Sequence, residues 1–536
     1  MKILFKVLFA ASLVTAATGC ESFLDINENP NSPTSVTPDA QLASALTVTA
    51  SNYSAGVQNG TSYNSYASFA VGYWGKSGTV SGYSPERTYN YSNTYYQALW
   101  NNTYDNLTDY NIIQQNGTAN GYPNHAAIAR IMKAYNFLLL VDEYGDIPYT
   151  NALQGATNTS PSYDKAADIY KDLIVQLKGA VTDIDAVDAT ARGVGNEDVV
   201  FRGNMKKWKQ FANSLLLRIL LRESQTSDAA LTASVTSEMK TLQSAPDGFI
   251  TSDVVVQPGY AANSNQQNPF YNRYGYSVGA INTTSEYSFV MPTNYIIAQY
   301  QNKNDPRIKQ LYTVGKRTVN GTAVPQYVGT DLGEPSPPRF VSTDATVGSR
   351  WLIGGTFLRA PGAPTVLMLL SEHLFSKAEA ETRNLFTGGE VAAKADFLDG
   401  IKASFVTTFR TTTALADINA STLATTTVGV SEYTTYIDGN TTNALVNYDI
   451  APSAGALGKQ SVIIYQKYLA ENTLASTEAW DDFRRTGLPK FKISLEATSP
   501  TLPSRLIYPQ TEVSTNQVNI PKGTDQFTKI FWDVVD

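Results

Sequence analysis

Apolar residues recur every three to four positions along several stretches of this chain, and that period predicts helices separated by long polar connections. From Gln97 to Gln115 the pattern gathers Leu99, Leu107, Tyr110 and Ile113 near one face. From Ala126 to Val141 it gathers Ile128, Ile131, Met132, Tyr135, Leu138 and Leu139, with Gly145 placed to end the helix. Asp164 to Leu177 reads as an amphipathic helix with Asp164 as its N-cap. The stripe from Met205 to Arg222 (Trp208, Phe211, Leu215, Leu216, Ile219, Leu220) is wide enough to predict burial on most sides. Further helices are predicted over Val366 to Leu385, Ala392 to Phe405, Gln460 to Thr473 and Glu478 to Thr486. The period fades over about 223–362 and 408–458, which read as loop-rich insertions. Antiparallel helix pairs carrying such insertions fit a mainly α, solenoid-like scaffold. No repeat of fixed length is visible along the sequence.

The N-terminus follows a different pattern. Lys2 and Lys6 precede an apolar stretch from Ile3 to Ala17, and small residues lead into Cys20. This order predicts a signal peptide over residues 1–19. Cys20 behind Gly19 resembles a bacterial lipoprotein site, at which the thiol is acylated. Residues 20–38 then read as anchor and tether, rich in Asn and Pro, leaving 39–536 as the folded part.

Composition narrows the function. Lys and Arg number 40 against 47 Asp and Glu, and without Lys2 and Lys6 the balance moves from −7 to −9. An acidic chain without a long basic run argues against nucleic acid as a partner. Cys20 is the single cysteine, so no intramolecular disulfide is available. Two histidines, His125 and His373, are too few for a zinc site or a His-based triad of ordinary design, and both fall within helical periodicity. The carboxylate pairs Asp142/Glu143 and Glu372/Glu379 have the chemistry of a glycosidase but sit where scaffold residues are expected. Asp183, Asp185 and Asp188 lack the later glycine and glutamate of a calcium loop, so neither metal nor cofactor is called for. Arg484 and Arg485 beside Asp481 and Asp482 predict a structural ion-pair network, with Trp480 and Trp208 as core anchors.

A series of short motifs, in order, resembles the SusD/RagB family of Bacteroidota outer-membrane lipoproteins, the SusD-like subgroup most of all. Leu24-Asp25-Ile26-Asn27-Glu28-Asn29-Pro30 follows the lipid Cys, then come Gly145-Asp146-Ile147-Pro148-Tyr149 and Tyr163-Asp164 before Ile169-Tyr170. Phe201-Arg202-Gly203-Asn204 precedes Lys207-Trp208 and Phe211-Ala212-Asn213-Ser214-Leu215, with Asn204 where the family has Asp. Asn304-Asp305-Pro306-Arg307, Ala378-Glu379-Ala380 and Gly400-Ile401-Lys402-Ala403-Ser404 lead to Glu478-Ala479-Trp480-Asp481-Asp482-Phe483-Arg484-Arg485-Thr486-Gly487. The resemblance implies tetratricopeptide-like helix pairs under a loop-rich ligand region. It also implies a lipid anchor in the outer membrane facing the cell exterior, and a SusC-like TonB-dependent β-barrel transporter as partner. The cargo would be an oligosaccharide, captured without chemical conversion. A peptide-binding RagB-type importer subunit and a secreted glycoside hydrolase stand as alternatives.

A sugar site needs exposed rings for stacking and polar groups for the hydroxyls. Trp74, Tyr83, Arg87, Tyr89, Tyr91 and Tyr95 supply that mixture in one window, interleaved with Asn90 and Asn93. Tyr271, Arg273, Tyr274 and Tyr276 supply it in a second, and Trp351 is a third candidate.

Overall fold

The computed structural model describes residues 36–55, 61–411, 428–452 and 458–535. The predicted signal peptide, Cys20 and nearly all of the tether lie outside the described residues. The helices are α1 (Pro38–Ser54), α2 (Tyr63–Ala70), α3 (Ser84–Thr88), α4 (Gln97–Ala119), α5 (Pro123–Tyr144), α6 (Ala166–Asp185), α7 (Met205–Glu223) and α8 (Ala229–Leu242). They continue as α9 (Pro269–Tyr274), α10 (Asn294–Gln301), α11 (Ile308–Leu311), α12 (Leu370–Thr382), α13 (Gly389–Phe409), α14 (Val430–Asp438), α15 (Gln460–Glu471), α16 (Ser476–Thr486) and α17 (Gln510–Thr515). Short strands lie between them: β1 (Trp74–Lys76), β2 (Val254–Val256), β3 (Val290–Pro292), β4 (Gly315–Val319), β5 (Thr322–Gln326), β6 (Thr346–Val347) and β7 (Thr365–Met368). The protein is mainly helical, as the periodicity predicts.

Successive helices pack as neighbours from α4 to α8, and α12 packs on both α13 and α15. A large apolar core runs from Leu42 to Trp532, and a second, smaller cluster around Phe375, Phe397, Phe405 and Ile463 joins α12, α13 and α15. No helix among the described residues is long and apolar enough to cross a membrane.

Three local expectations are corrected. The run from Val366 to Leu385 is not one helix: Val366, Leu367 and Met368 extend as β7, antiparallel to β2. The helix starts at Leu370, whose N–H donates to Asp253 Oδ1 at 2.8 Å. Asp164 does not cap α6. Its carboxylate instead accepts the N–H groups of Tyr149 and Thr150 at 3.0 and 2.9 Å, while Asp146 accepts the Ala166 N–H at 2.9 Å. Each aspartate therefore caps the other's segment, which locks the turn after α5 to the start of α6. That turn begins at Gly145, where φ is +72° and a Cβ would meet Arg505 at 2.9 Å. Finally, the insertion over 223–362 holds α8, capped by Asp228 and buried through Val235, Met239 and Leu242. Its Ser and Thr content masks a regular i, i+4 pattern.

The carboxylates weighed as catalytic pairs lie deep in the scaffold. Arg218 contacts Glu372 at 2.7 Å and Glu478 at 3.0 Å, and Arg222 bridges Asp142, Asp481 and Glu478. Arg485 meets Glu379 and Asp482 at 2.6 Å each, and Lys467 meets Asp482 at 2.8 Å. The ion-pair network expected at Asp481 to Arg485 is present and extends across α5, α7, α12, α15 and α16. Asp183, Asp185 and Asp188 each hold a protein partner, in Arg130, Lys209 and Thr190. His125 and His373 are both buried helix residues. His125 shares a 3.0 Å contact with Glu197, and burial lowers His373 far below the usual imidazole range.

Candidate functional site: a tyrosine platform over paired tryptophans

Strand β1 pairs with β3, setting Trp74 opposite Pro292 and drawing residues more than 200 positions apart into one layer. Beneath this layer Trp74 and Trp351 lie 4.9 Å apart between ring centroids. Tyr274 packs edge-on to both, at 5.7 and 4.8 Å, and Phe270 closes the group. The two aromatic windows and Trp351 thus meet in space.

Not all of them face solvent. Trp74 and Trp351 are each 1% exposed, and Tyr89 and Tyr274 are each 4% exposed. These four, expected as accessible rings, are core residues in this conformation. Trp74 donates its indole N–H to Thr473 Oγ1 at 2.9 Å, and Tyr89 accepts the Ser494 N–H through its hydroxyl at 2.8 Å. Tyr91 and Tyr95 are half-buried and lean on one another at 4.4 Å, both edge-on to Tyr66. Tyr66 is fully buried and was not singled out from the sequence; it falls at helical spacing behind Tyr63 on α2.

Tyr83, Arg87, Tyr271, Arg273 and Tyr276 are half-buried and keep surface to offer. Tyr83 stacks on Phe69 at 5.0 Å. Arg273 lies 5.7 Å from the Tyr274 ring and 3.8 Å from Glu286, and Arg87 pairs with Glu496. The backbone here is strained: Tyr83, Tyr89 and Tyr96 have φ of 62°, 58° and 52°. A bulky residue pays steric energy at such φ and holds it only when its surroundings over-determine it, as the packed rings do here. Glu86, buried below the same rings, is pushed up to about 7 by loss of solvent. The nearby Tyr95 hydroxyl and Arg87 pull the other way without cancelling the effect of burial.

The arrangement offers ring faces and guanidinium groups to a ligand. The histidines and the paired carboxylates are buried elsewhere in the scaffold. Among the described residues no group of three or more His, Cys, Asp or Glu is placed to hold a metal ion.

Residues 30–509 match the SusD-like family model described as "Starch-binding associating with outer membrane", and the chain belongs to this family. Its members are outer-membrane-associated nutrient-binding proteins rather than enzymes. Among solved structures, the fold is shared with a chitin-binding protein at TM-score 0.70 and 23% identity, covering 93% of this chain and 100% of that one. It is also shared with a SusD/RagB family protein from Bacteroides thetaiotaomicron (TM-score 0.68, 22% identity, 93% and 99% covered). A chitin-binding SusD homolog from Flavobacterium johnsoniae matches at TM-score 0.69 and 20% identity, covering 92% and 98%. No curated protein sequence matches.

Proposed function

We propose that this protein captures oligosaccharide at the cell surface and passes it to a SusC-like TonB-dependent β-barrel transporter, held to the outer membrane by acylated Cys20. The observation that carries the binding reading is the aromatic layer in which Trp74, Phe270, Tyr274 and Trp351 meet, with Tyr83 against Phe69 and Arg273 against Tyr274 at its edge, and with Tyr83, Tyr271, Tyr276, Arg87 and Arg273 all keeping some exposure. A pyranose offers apolar C–H faces to rings and hydroxyls to guanidinium and amide groups, so this mixture suits it. The ring contacts fall to Tyr83, Tyr271 and Tyr276. Trp74, Tyr89, Tyr91, Tyr95, Tyr274 and Trp351 make no direct ligand contact in this reading. Affinity is modest, because hydrogen bonds to sugar replace hydrogen bonds to water.

Calorimetry against a panel of neutral oligosaccharides, chitin and starch fragments included, and of short peptides is the direct test. Saturable glycan binding, lost in a combined Tyr83→Ala and Tyr271→Ala variant that still folds, supports the reading. Glycan hydrolysis by the purified protein, or glycan binding indifferent to that variant, overturns it. Cys20→Ala releases the protein from membranes if the anchor is lipid.

A further inference from the structure

A cleft of about 490 Å³, lined by none of the platform residues, opens where α4, α5 and α6 meet the turn after α5. Pockets in this size range hold small organic ligands. Its chemistry is unusual for a groove between helices, because it holds two charges without counter-ions among the described residues.

The first is Lys133 on α5. Its Nζ donates to Asn111 Oδ1 at 2.8 Å and Gln114 Oε1 at 3.1 Å, both neutral amides on α4. No carboxylate lies within ion-pair distance of it among the described residues, and one of its three donors remains free. Burial, with Arg130 as a second cause, lowers its ammonium to about 8, which still leaves it charged at neutral pH. Arg130 is spoken for: it donates to Gln176 at 2.8 Å and Asp183 at 2.7 Å. Its guanidinium lies flat over α6 because residue 179 is glycine; a Cβ there would sit 2.3 Å from Nη2.

The second charge is Asp172 on α6. Its carboxylate accepts from the Tyr149 hydroxyl at 2.5 Å and the Gln176 amide at 3.0 Å, and no cation pairs with it among the described residues. The other acids of the cleft are engaged, Asp164 in capping the turn and Asp168 with Lys171 at 2.9 Å. Phe137, Ile169 and Leu153 give the cleft an apolar lining. An ammonium and a carboxylate held by dipoles alone, rather than by each other, retain their capacity for charge-assisted bonds.

We infer that the cleft between α4, α5 and α6 is a second binding site, for a small zwitterion of the α-amino acid class, whose carboxylate meets Lys133 and whose ammonium meets Asp172. The apolar lining takes the side chain. A neutral sugar satisfies neither charge, so this site is separate in chemistry as well as in place from the tyrosine platform.

The test is calorimetry of the full-length protein with glycine, leucine, leucine methyl ester, N-acetylleucine and glucose. Leucine is expected to bind. Each capped form is expected to bind about tenfold or more weakly, since each removes one charge-assisted contact. Lys133→Met is expected to weaken leucine while leaving the methyl ester unaffected, and Asp172→Asn to do the same against N-acetylleucine. Unchanged thermal melting and unchanged glycan binding show that each variant still folds. Absence of saturable binding by both glycine and leucine overturns the proposal, as does glucose binding equal to leucine. Capped and free forms that bind alike overturn it without any variant.

Discussion

Where α5, α7, α12, α15 and α16 meet, the core is ionic. Asp142, Glu143, Glu372, Glu379, Glu471, Glu478, Asp481 and Asp482 are buried there with Arg218, Arg222, Lys467, Arg484 and Arg485. Beneath β1 the core is aromatic instead, with Trp74, Trp351, Phe270 and Tyr274 meeting ring to ring. Both regions hide polar atoms, but on different terms. An ion in the core depends on every partner, because losing one strands a charge in a medium that solvates it poorly. A buried ring depends mainly on volume, and of the two tryptophans here only Trp74 has a hydrogen bond to its indole N–H among the described residues. The ionic seam therefore fixes the mutual setting of five helices. The aromatic layer can hold a strained, partly exposed surface on top of it.

Breaking the ionic side should have the largest effect. Arg222→Met leaves Asp142, Asp481 and Glu478 without their shared guanidinium, and a loss of about 3–5 kcal/mol is expected from denaturant unfolding. Glycan affinity of the protein that remains folded should be unchanged, since no platform residue touches Arg222.

The same seam predicts a pH dependence of definite sign. Burial raises Asp142 to about 7 against the pull of Arg222, and raises Glu143 to about 8 against Arg484. The folded chain therefore keeps protons that the unfolded chain has released. Their contribution is complete below the ordinary carboxylate range and is lost as pH rises through about 7 and 8. Glu379 opposes this: burial works against its ionisation, yet Arg485 holds it at about 2, so its contribution is lost only in strong acid. Melting temperature should fall between pH 6 and pH 9, and Glu143→Gln should flatten that fall. A melting temperature that rises over this interval contradicts the reading.

On the aromatic side, Trp74→Phe removes the indole N–H that Thr473 accepts and opens space against Trp351. About 1–3 kcal/mol of stability should be lost by thermal or denaturant unfolding. Glycan affinity should fall as well, because the surface rings rest on this layer.

The two regions were unequally legible in the sequence. Arg484 and Arg485 three residues after Asp481 and Asp482 announce ion pairs at helical spacing, and the structure has them. That Asp142 and Glu372 join the same network is not readable, since it depends on how five helices stack. The aromatic windows were legible as composition, because Tyr and Trp crowd into 73–96, 271–276 and 351. Which rings face outward was not. Trp74 turns inward because β1 pairs with β3, a contact no local pattern encodes. The same blindness hid the exchange of caps between Asp164 and Asp146, because Asp146 lies far upstream of the helix start that it caps.

The smallest stability effect, and the sharpest test of the comparison, lies at the platform surface. Tyr271 is half-buried, and the cap at Asn268 accepts its backbone N–H rather than any side-chain group. Tyr271→Ala removes a ring without opening the core, so stability should change by no more than about 0.5–1 kcal/mol. If that ring stacks on sugar, the same change costs about 0.5–1.5 kcal/mol of binding, several-fold in affinity by calorimetry. Tyr271→Phe keeps the ring and should keep most of the affinity. An alanine variant that loses stability but not affinity would assign Tyr271 to the scaffold and leave Tyr83 and Tyr276 to carry the contact.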